Sequence, residues 1–320
     1  MIFWIIGAVL LLVVAVAFVA MRWSYRKAFY FSDADKKIDT AASLAQVHDE
    51  IASPSMKLLA EDLESLPCEE ITIRSHDGLT LFGRYYRFSD DPNRLEILFH
   101  GWRSNTFRDA CGGARLARDA GYNLLVVDQR AHGRSDGNTI TFGVKEKFDC
   151  LDWVNYAIGR FGPDVRILLG GISMGAATVL MASALPLPEN VCGITADCGY
   201  SSPEAIIRKV CRDMKIPDRL GYPFVRLGAR LFGRFSLDGE SAVESVKHAK
   251  VPIMLMHGEA DDFVPFSMAG EIWDAIASEK RMLTVPDAGH GLAYFYDTEH
   301  YTREVTAFKL ACLDGKYDHP

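Results

Sequence analysis

From Ile2 to Met21 the chain carries no charged residue, and Arg22, Arg26 and Lys27 follow at once with Trp23 and Tyr25 among them. A helix of this length covers about 30 Å, roughly one bilayer core. Basic and aromatic residues at its end are typical of the membrane interface. The expected element is an uncleaved membrane anchor over residues 1–21. A secretory signal peptide is the rival, but no Lys or Arg precedes the run, and the run is long for a signal core. Because the positive charges follow the span, the remaining chain is expected in the cytoplasm.

Residues 22–67 are polar and mixed and read as a juxtamembrane linker, with one helix at 56–63 that carries its leucines on one side and spaces or docks the domain. Ile71–Ile73 and Leu79–Phe82 flank His76-Asp77-Gly78, a hairpin signal in which His76 is a turn residue. The pattern then alternates. Apolar runs at 95–99, 123–127, 165–170, 191–195, 253–256 and 282–285 predict strands. Helical periodicity is read at 107–120, 144–160, 176–182, 268–278 and 302–313, with Gly121 ending the first of these. The apolar positions of the 144–160 helix are Phe148, Leu151, Val154, Tyr156 and Ala157. Repeated strand–helix units require an α/β domain, 68–320, with a mostly parallel sheet and helices on both faces.

One segment breaks the alternation. Residues 201–250 show helical pattern and no credible strand, and are expected to form a helical cap over the strand ends, where substrate would bind. Ile206, Ile207, Val210 and Met214 form one apolar stripe. Phe224, Leu227, Leu231, Phe232 and Phe235 form another. Arg226, Arg230 and Arg234 fall four apart, either a solvated basic face or a contact for anionic lipid headgroups.

Composition narrows the classes. The 320 residues, 49% hydrophobic, suit one large domain. A net charge of -7 argues against nucleic acid as partner. Seven scattered cysteines without a C-x-x-C pair fit free thiols better than a zinc site or disulfide framework. Oligomeric state is not readable.

The chemistry centres on Gly171-Ile172-Ser173-Met174-Gly175, between a predicted strand and a predicted helix. This G-x-S-x-G pattern is a nucleophile elbow, in which glycines relieve a turn too sharp for side chains. A P-loop is excluded, because Ala176-Ala177 stand where Lys and Ser/Thr are needed, and adjacent Gly170-Gly171 do not match a dinucleotide fingerprint. A serine hydroxyl needs a base, and the base needs a carboxylate. The loop Pro286–Gly291 offers His290 as the base, and the loop His257–Pro265 offers Asp261 as the acid. Asp262, Asp287 and Asp197 are rivals for the acid. His257 is read as a packed strand-end residue, and a metal held by His257, Asp261 and Asp262 is the weaker alternative. The oxyanion donors are expected to be the N–H of Met174, at a helix N-terminus, and that of Trp102, in the loop 100–104, with His100 buttressing it.

These motifs resemble the serine α/β-hydrolase superfamily from about Cys68 to Leu313. The matched pieces are Asp77-Gly78, His100-Gly101, the run Asp128–Ser135, the elbow, His257-Gly258-Glu259-Ala260-Asp261 with Val264-Pro265, and Gly289-His290. Within it, the chain is most similar to membrane-tethered bacterial hydrolases grouped with serine aminopeptidase-like and Bem46-like proteins. The resemblance implies the α/β-hydrolase fold and a Ser173–His290–Asp261 triad, and it singles out Asp261 by family spacing. It gives Arg130 and His132 a loop-shaping role. Ser173 argues against the dehalogenase branch, which uses Asp. The expected activity is carboxylic ester hydrolysis through an acyl-enzyme at the membrane surface, on a small acyl substrate, with no cofactor and no metal. A peptidase of short peptides and an inactive hydrolase-fold binding module are the alternatives.

Overall fold

In the computed structural model, which describes residues 1–37, 39–45 and 47–317, the apolar runs become β1 (Glu69–Arg74), β2 (Thr80–Tyr86), β3 (Arg94–Phe99), β4 (Asn123–Asp128), β5 (Arg166–Ile172), β6 (Val191–Asp197), β7 (Ile253–Gly258) and β8 (Lys280–Val285). They form one sheet in the order β1-β2-β4-β3-β5-β6-β7-β8. β2 runs antiparallel to both β1 and β4, and β3 to β8 are parallel. The chain steps from β3 outward to β4, then returns to β5 on the other side of β3. Loops leaving β3 and β5 therefore diverge, and a crevice opens at the carboxyl ends of these strands.

The helices are α1 (Ile2–Ala28), α2 (Thr40–Leu44), α3 (Ala52–Ser65), α4 (Thr106–Ala120), α5 (Glu146–Phe161), α6 (Met174–Ala182), α7 (Pro203–Asp213), α8 (Asp218–Gly228), α9 (Ala242–Val246), α10 (Phe266–Ala275), α11 (Ala293–Tyr296) and α12 (Thr298–Leu313). The period-two alternation of the strands sorts side chains onto two faces. Leu95, Ile97, Phe99, Leu125 and Val127 join a core with α5, α6 and α10. Leu98, Leu124 and Val126 join a second core with α4 and α12. Residues 203–246 contain helices and a π-type turn at Ala229–Gly233, with no strand among them.

Three expectations change. The stretch read as a linker is largely built into the domain. α1 runs without interruption from the apolar span to Ala28, and Tyr25, Phe29 and Phe31 are buried in the first core. Positions 25 and 29 lie one turn apart on the same side of the helix; Phe29 packs against Phe142 and Phe235, and Tyr25 against Phe232. α3 packs on α4 through Met56, Ala60 and Leu63.

The buried faces of two helices are also shifted. In α5 the buried residues are Cys150, Trp153, Val154 and Ala157, while Phe148 is exposed. In α8 they are Tyr222 and Val225, with Ala229 following, while Leu227 and Leu231 are exposed. The cap helix turns its buried face toward α1, where Gly228 lies close to Met21 and Tyr25.

The basic stripe does not survive as a face. α8 ends at Gly228, and Arg234 takes a left-handed backbone, φ 57°, that ends the π-type turn. Arg226 donates to Asp238 at 3.0 Å and Arg230 pairs with the same carboxylate, so one acid shares two of the three charges.

Candidate active site

β5 ends at Ile172, and α6 begins at Met174. Ser173 between them has φ 56° and ψ -113°, a strained conformation for a residue with a side chain. The flanking glycines make the turn possible. A Cβ at Gly171 would lie 2.3 Å from the backbone of Gly175, and one at Gly175 would lie 2.0 Å from the carbonyl of Phe99. The Ser173 N–H donates to the Asp197 carbonyl at 2.8 Å.

The loop after β8 brings His290 to this point. His290 Nε2 lies 2.9 Å from Ser173 Oγ. His290 Nδ1 lies 2.7 Å from Asp261 Oδ2, in the loop after β7. Gly258 allows the two loops to meet, because a Cβ there would lie 2.2 Å from the Ala288 carbonyl oxygen. Three residues separated by 88 and 29 positions along the chain thus share one line of contacts at the strand ends.

Asp261 is buried, which disfavours its charge. Hydrogen bonds from His257 and His290, and from the Val264 N–H, outweigh the burial and hold its carboxyl down at about 2. Oδ1 accepts the Phe263 and Val264 N–H groups at 2.9 and 2.8 Å. His257 Nε2 donates to the Val264 carbonyl at 2.8 Å and lies 3.3 Å from Asp261 Oδ2, so it braces the acid loop from below.

The rival acids lie elsewhere. Asp262 and Asp287 are exposed. Asp197 is buried and accepts the Tyr301 hydroxyl at 2.8 Å; burial pushes its carboxyl up to about 6. The metal alternative of His257, Asp261 and Asp262 is not assembled as a cluster. Among the described residues, Cys198, Asp261 and His290 do bring ligand atoms together. Burial raises the Cys198 thiol well above its ordinary range, and the carboxylate and imidazole already bond each other, so this donor set fits a proton relay better than a cation site.

The loop after β3 is fixed on both sides of Trp102. The Gly101 N–H donates to Asp109 Oδ2 at 2.7 Å, and the Arg103 N–H donates to His132 Nε2 at 2.9 Å. No partner for the Trp102 N–H appears among the described residues, and Met174 opens α6, where N–H groups lack helical partners. His100 donates from Nδ1 to the Gly101 carbonyl and accepts the Gln129 N–H at Nε2. Arg130 is buried between Asp149 and Asp77, and His132 donates to the Arg130 carbonyl. Both shape loops and stand away from Ser173.

Sequence reasoning missed two parts of this region. Asp109, in the first turn of α4, holds the Gly101 amide; an acidic residue there reads as ordinary helix-dipole compensation. The C-terminal end of α1 was also missed. The Trp102 indole N–H donates to the Ala28 carbonyl at 3.1 Å. The Arg103 guanidinium donates to the carbonyls of Arg26, Lys27 and Tyr30 at 3.3, 3.0 and 2.8 Å. The helix's orphan carbonyls are thus capped by the loop beside Ser173.

Two cavities meet at Ser173. One, about 310 Å³, lies between α1 and the cap and is lined by Ile206, Ile207, Val210, Val225, Phe142 and Trp102, with Trp23, Ser24, Lys27 and Ala28 along one wall. The other, about 670 Å³, extends toward α3 and α4 and includes His48, Asp49, Arg108, Asp109, Asp197 and Lys309. Trp102, Ser173 and Phe263 line both.

Residues 97–307 match the profile of the Alpha/beta hydrolase family. The Bacillus subtilis protein YqkD, itself uncharacterized, is 24% identical over 249 residues, covering 78% of this chain and 81% of its own length. A zebrafish (Danio rerio) lysophosphatidylserine lipase, ABHD12, is 27% identical over 178 residues, 52% of this chain and 43% of its own. In fold, the chain is similar to the Pyrococcus furiosus esterase Pf2001, with a TM-score of 0.61 at 23% identity, covering 78% of this chain and 92% of that one. Est1E from Butyrivibrio proteoclasticus gives 0.59 at 20% identity, covering 76% and 99%. With the sheet order, the elbow and the matched span in agreement, this chain belongs to the alpha/beta hydrolase family.

Proposed function

We propose that this protein is a membrane-anchored serine hydrolase that cleaves carboxylic esters through an acyl-enzyme. The observation that carries the reading is the contact line Ser173–His290–Asp261, at 2.9 and 2.7 Å. Ser173 Oγ attacks the acyl carbonyl while His290 Nε2 takes its proton. The tetrahedral oxyanion is held by the Trp102 and Met174 N–H groups. His290 returns the proton to the leaving alcohol as the C–O bond breaks. Water then attacks the acyl-serine, giving its proton to His290, and the carboxylic acid leaves as Ser173 is regenerated. Asp261 orients His290 and stabilises its imidazolium; with its carboxyl held at about 2, it stays charged through the working pH range.

The esterase neighbours and the relative named as a lipase support ester chemistry over peptide cleavage. The narrower grouping with serine aminopeptidase-like and Bem46-like proteins rests on the sequence motifs.

α1 is long and apolar enough to cross a membrane, and its apolar stretch is exposed. Its unbroken continuation into residues that are buried in the domain supports a retained anchor over a shed signal. Arg22, Arg26 and Lys27 support a cytoplasmic hydrolase domain; protease protection in intact cells checks that orientation.

The test of function is labelling by a fluorophosphonate probe, alongside p-nitrophenyl esters and amino-acid arylamides as substrates. The expected result is covalent modification of the full-length protein, lost in Ser173→Ala, and turnover of the esters. A protein that neither labels nor turns over either substrate class would be a binding module instead.

A further inference from the structure

The cavity between α1 and the cap has a wall that soluble hydrolase architecture does not require: the last two turns of the anchor helix. Trp23, Ser24, Lys27 and Ala28 line it opposite Ile206, Ile207, Val210 and Val225 of the cap, and Ser173 lies at its inner end. The cap reaches the apolar span itself. Phe232 packs edge-on against Phe18 at 5.4 Å and against Tyr25 at 5.8 Å. Met214, Leu220, Leu227 and Leu231 are exposed on the cap, and Trp23 is exposed on α1.

We propose that this cavity holds the unbranched acyl chain of a single-chain ester, so that the anchor helix forms part of the substrate site. This deepens the hydrolase reading above and rests on it. Three features select the occupant. Apart from Lys27 and Arg103 on the α1 side, the lining is almost wholly apolar, so a sugar-like group deep in it would lose its hydration without replacement. The cavity ends at the nucleophile, which fits a chain attached to the scissile carbonyl. Its size limits the chain: an apolar cavity of ~150 Å³ accepts one benzene ring, so about 310 Å³ accommodates roughly ten to twelve carbons. The adjoining cavity is larger but carries His48, Asp49, Arg108, Asp109 and Asp197, so a second acyl chain there would strip water from charged groups. Trp23 and Ser24 line the cavity directly after the uncharged span that ends at Met21, so a membrane-resident lipid has a short path to it.

The test uses the full chain reconstituted in phosphatidylcholine vesicles. p-Nitrophenyl esters of two to twelve carbons, supplied from solution within their solubility limits, are compared with monoacylglycerols of matching length carried in the same vesicles. kcat/KM is expected to rise by up to about fourfold per methylene and to level off near ten to twelve carbons. A steeper preference for the vesicle-borne series marks a chain drawn from the bilayer; equal series mark a chain taken from solution, and both outcomes support the cavity assignment. Ser24→Phe narrows the cavity from the α1 wall and Val210→Trp from the cap wall. Each is expected to lower the ten-carbon to two-carbon ratio by at least about tenfold, and as a ratio this cancels partial misfolding. Leu58→Trp, on the exposed side of α3, leaves the ratio unchanged. Fluorophosphonate labelling of the same samples separates the two levels of the argument. A protein that does not label sinks the hydrolase reading. A protein that labels, but whose ratio is flat with chain length or unmoved by Ser24→Phe and Val210→Trp, overturns the acyl-chain site alone.

Discussion

The two cavities that meet at Ser173 differ in chemistry and in origin. The one toward α1 is apolar, and its walls come from the anchor helix and the cap. The larger one carries carboxylates, a guanidinium and an imidazole, supplied mainly by α4, by the segment before α3 and by the loops after β7 and β8. Their shared residues, Trp102, Ser173 and Phe263, stand in the loops just beyond the carboxyl ends of β3, β5 and β7. The strand-end loops therefore fix where Ser173 stands, while peripheral segments line the space on either side of it. An ester with an apolar tail and a polar leaving group has two unlike ends, and so does this site.

The sharpest way to break the comparison is at the shared residues. Ser173→Ala is expected to lower turnover by on the order of 10⁴-fold or more, equally for substrates that vary the tail and for those that vary the leaving group. A loss confined to one series would mean that the cavities do not share a reacting centre.

The next effect tests the polar side. Asp109→Ala leaves the Gly101 N–H without its 2.7 Å acceptor. A buried donor so orphaned costs about 1–3 kcal/mol. The loop bearing the Trp102 N–H then loses one of its two fixings, and kcat is expected to fall by about 10–100-fold with little change in KM. A change in KM alone would make Asp109 a substrate contact and not a support of the loop.

The apolar side is probed by Arg103→Ala, which uncaps the Arg26 and Lys27 carbonyls of α1 and the Tyr30 carbonyl just beyond its end. Bonds from a charged donor contribute about 1.5–3 kcal/mol, so Tm is expected to fall by about 3–8 °C. An unchanged Tm would show that α1 is held by its aromatic contacts alone.

The smallest effect concerns Asp197 beneath the polar cavity. Burial raises its carboxyl to about 6, above the ordinary value, so the fold binds this proton more tightly than the unfolded chain does. Its contribution favours the fold at pH 4 and is lost as pH rises through about 6. Asp197→Asn is therefore expected to raise Tm by roughly 2–5 °C at pH 7.5, with a smaller gain at pH 5. The Ser173 N–H bonds the Asp197 backbone carbonyl, so the side-chain change leaves that contact intact. A gain independent of pH would point to packing and away from the charge.

Most of the scaffold was legible along the chain because its signals are local. A buried strand must be apolar, an elbow must have Gly171 and Gly175, and α4 must stop where Gly121 takes φ 72°. Asp261 and His290 were readable because each follows a strand within a few residues. The buried faces of α5 and α8 were less so. Phe148 and Leu227 are as apolar as Trp153 and Val225, and periodicity cannot rank stripes one residue apart.

By itself, the sequence determined the alternation of strands and helices, the turn that carries Ser173, and the length of the apolar span, since each depends on neighbours a few residues away. Only the tertiary structure decided that Tyr25, Phe29 and Phe31 belong to the core, that Trp102 and Arg103 cap the anchor helix, and that two unlike cavities meet at one hydroxyl. Those are contacts between residues tens to hundreds of positions apart, and no local pattern encodes which distant surface an amphipathic face will meet.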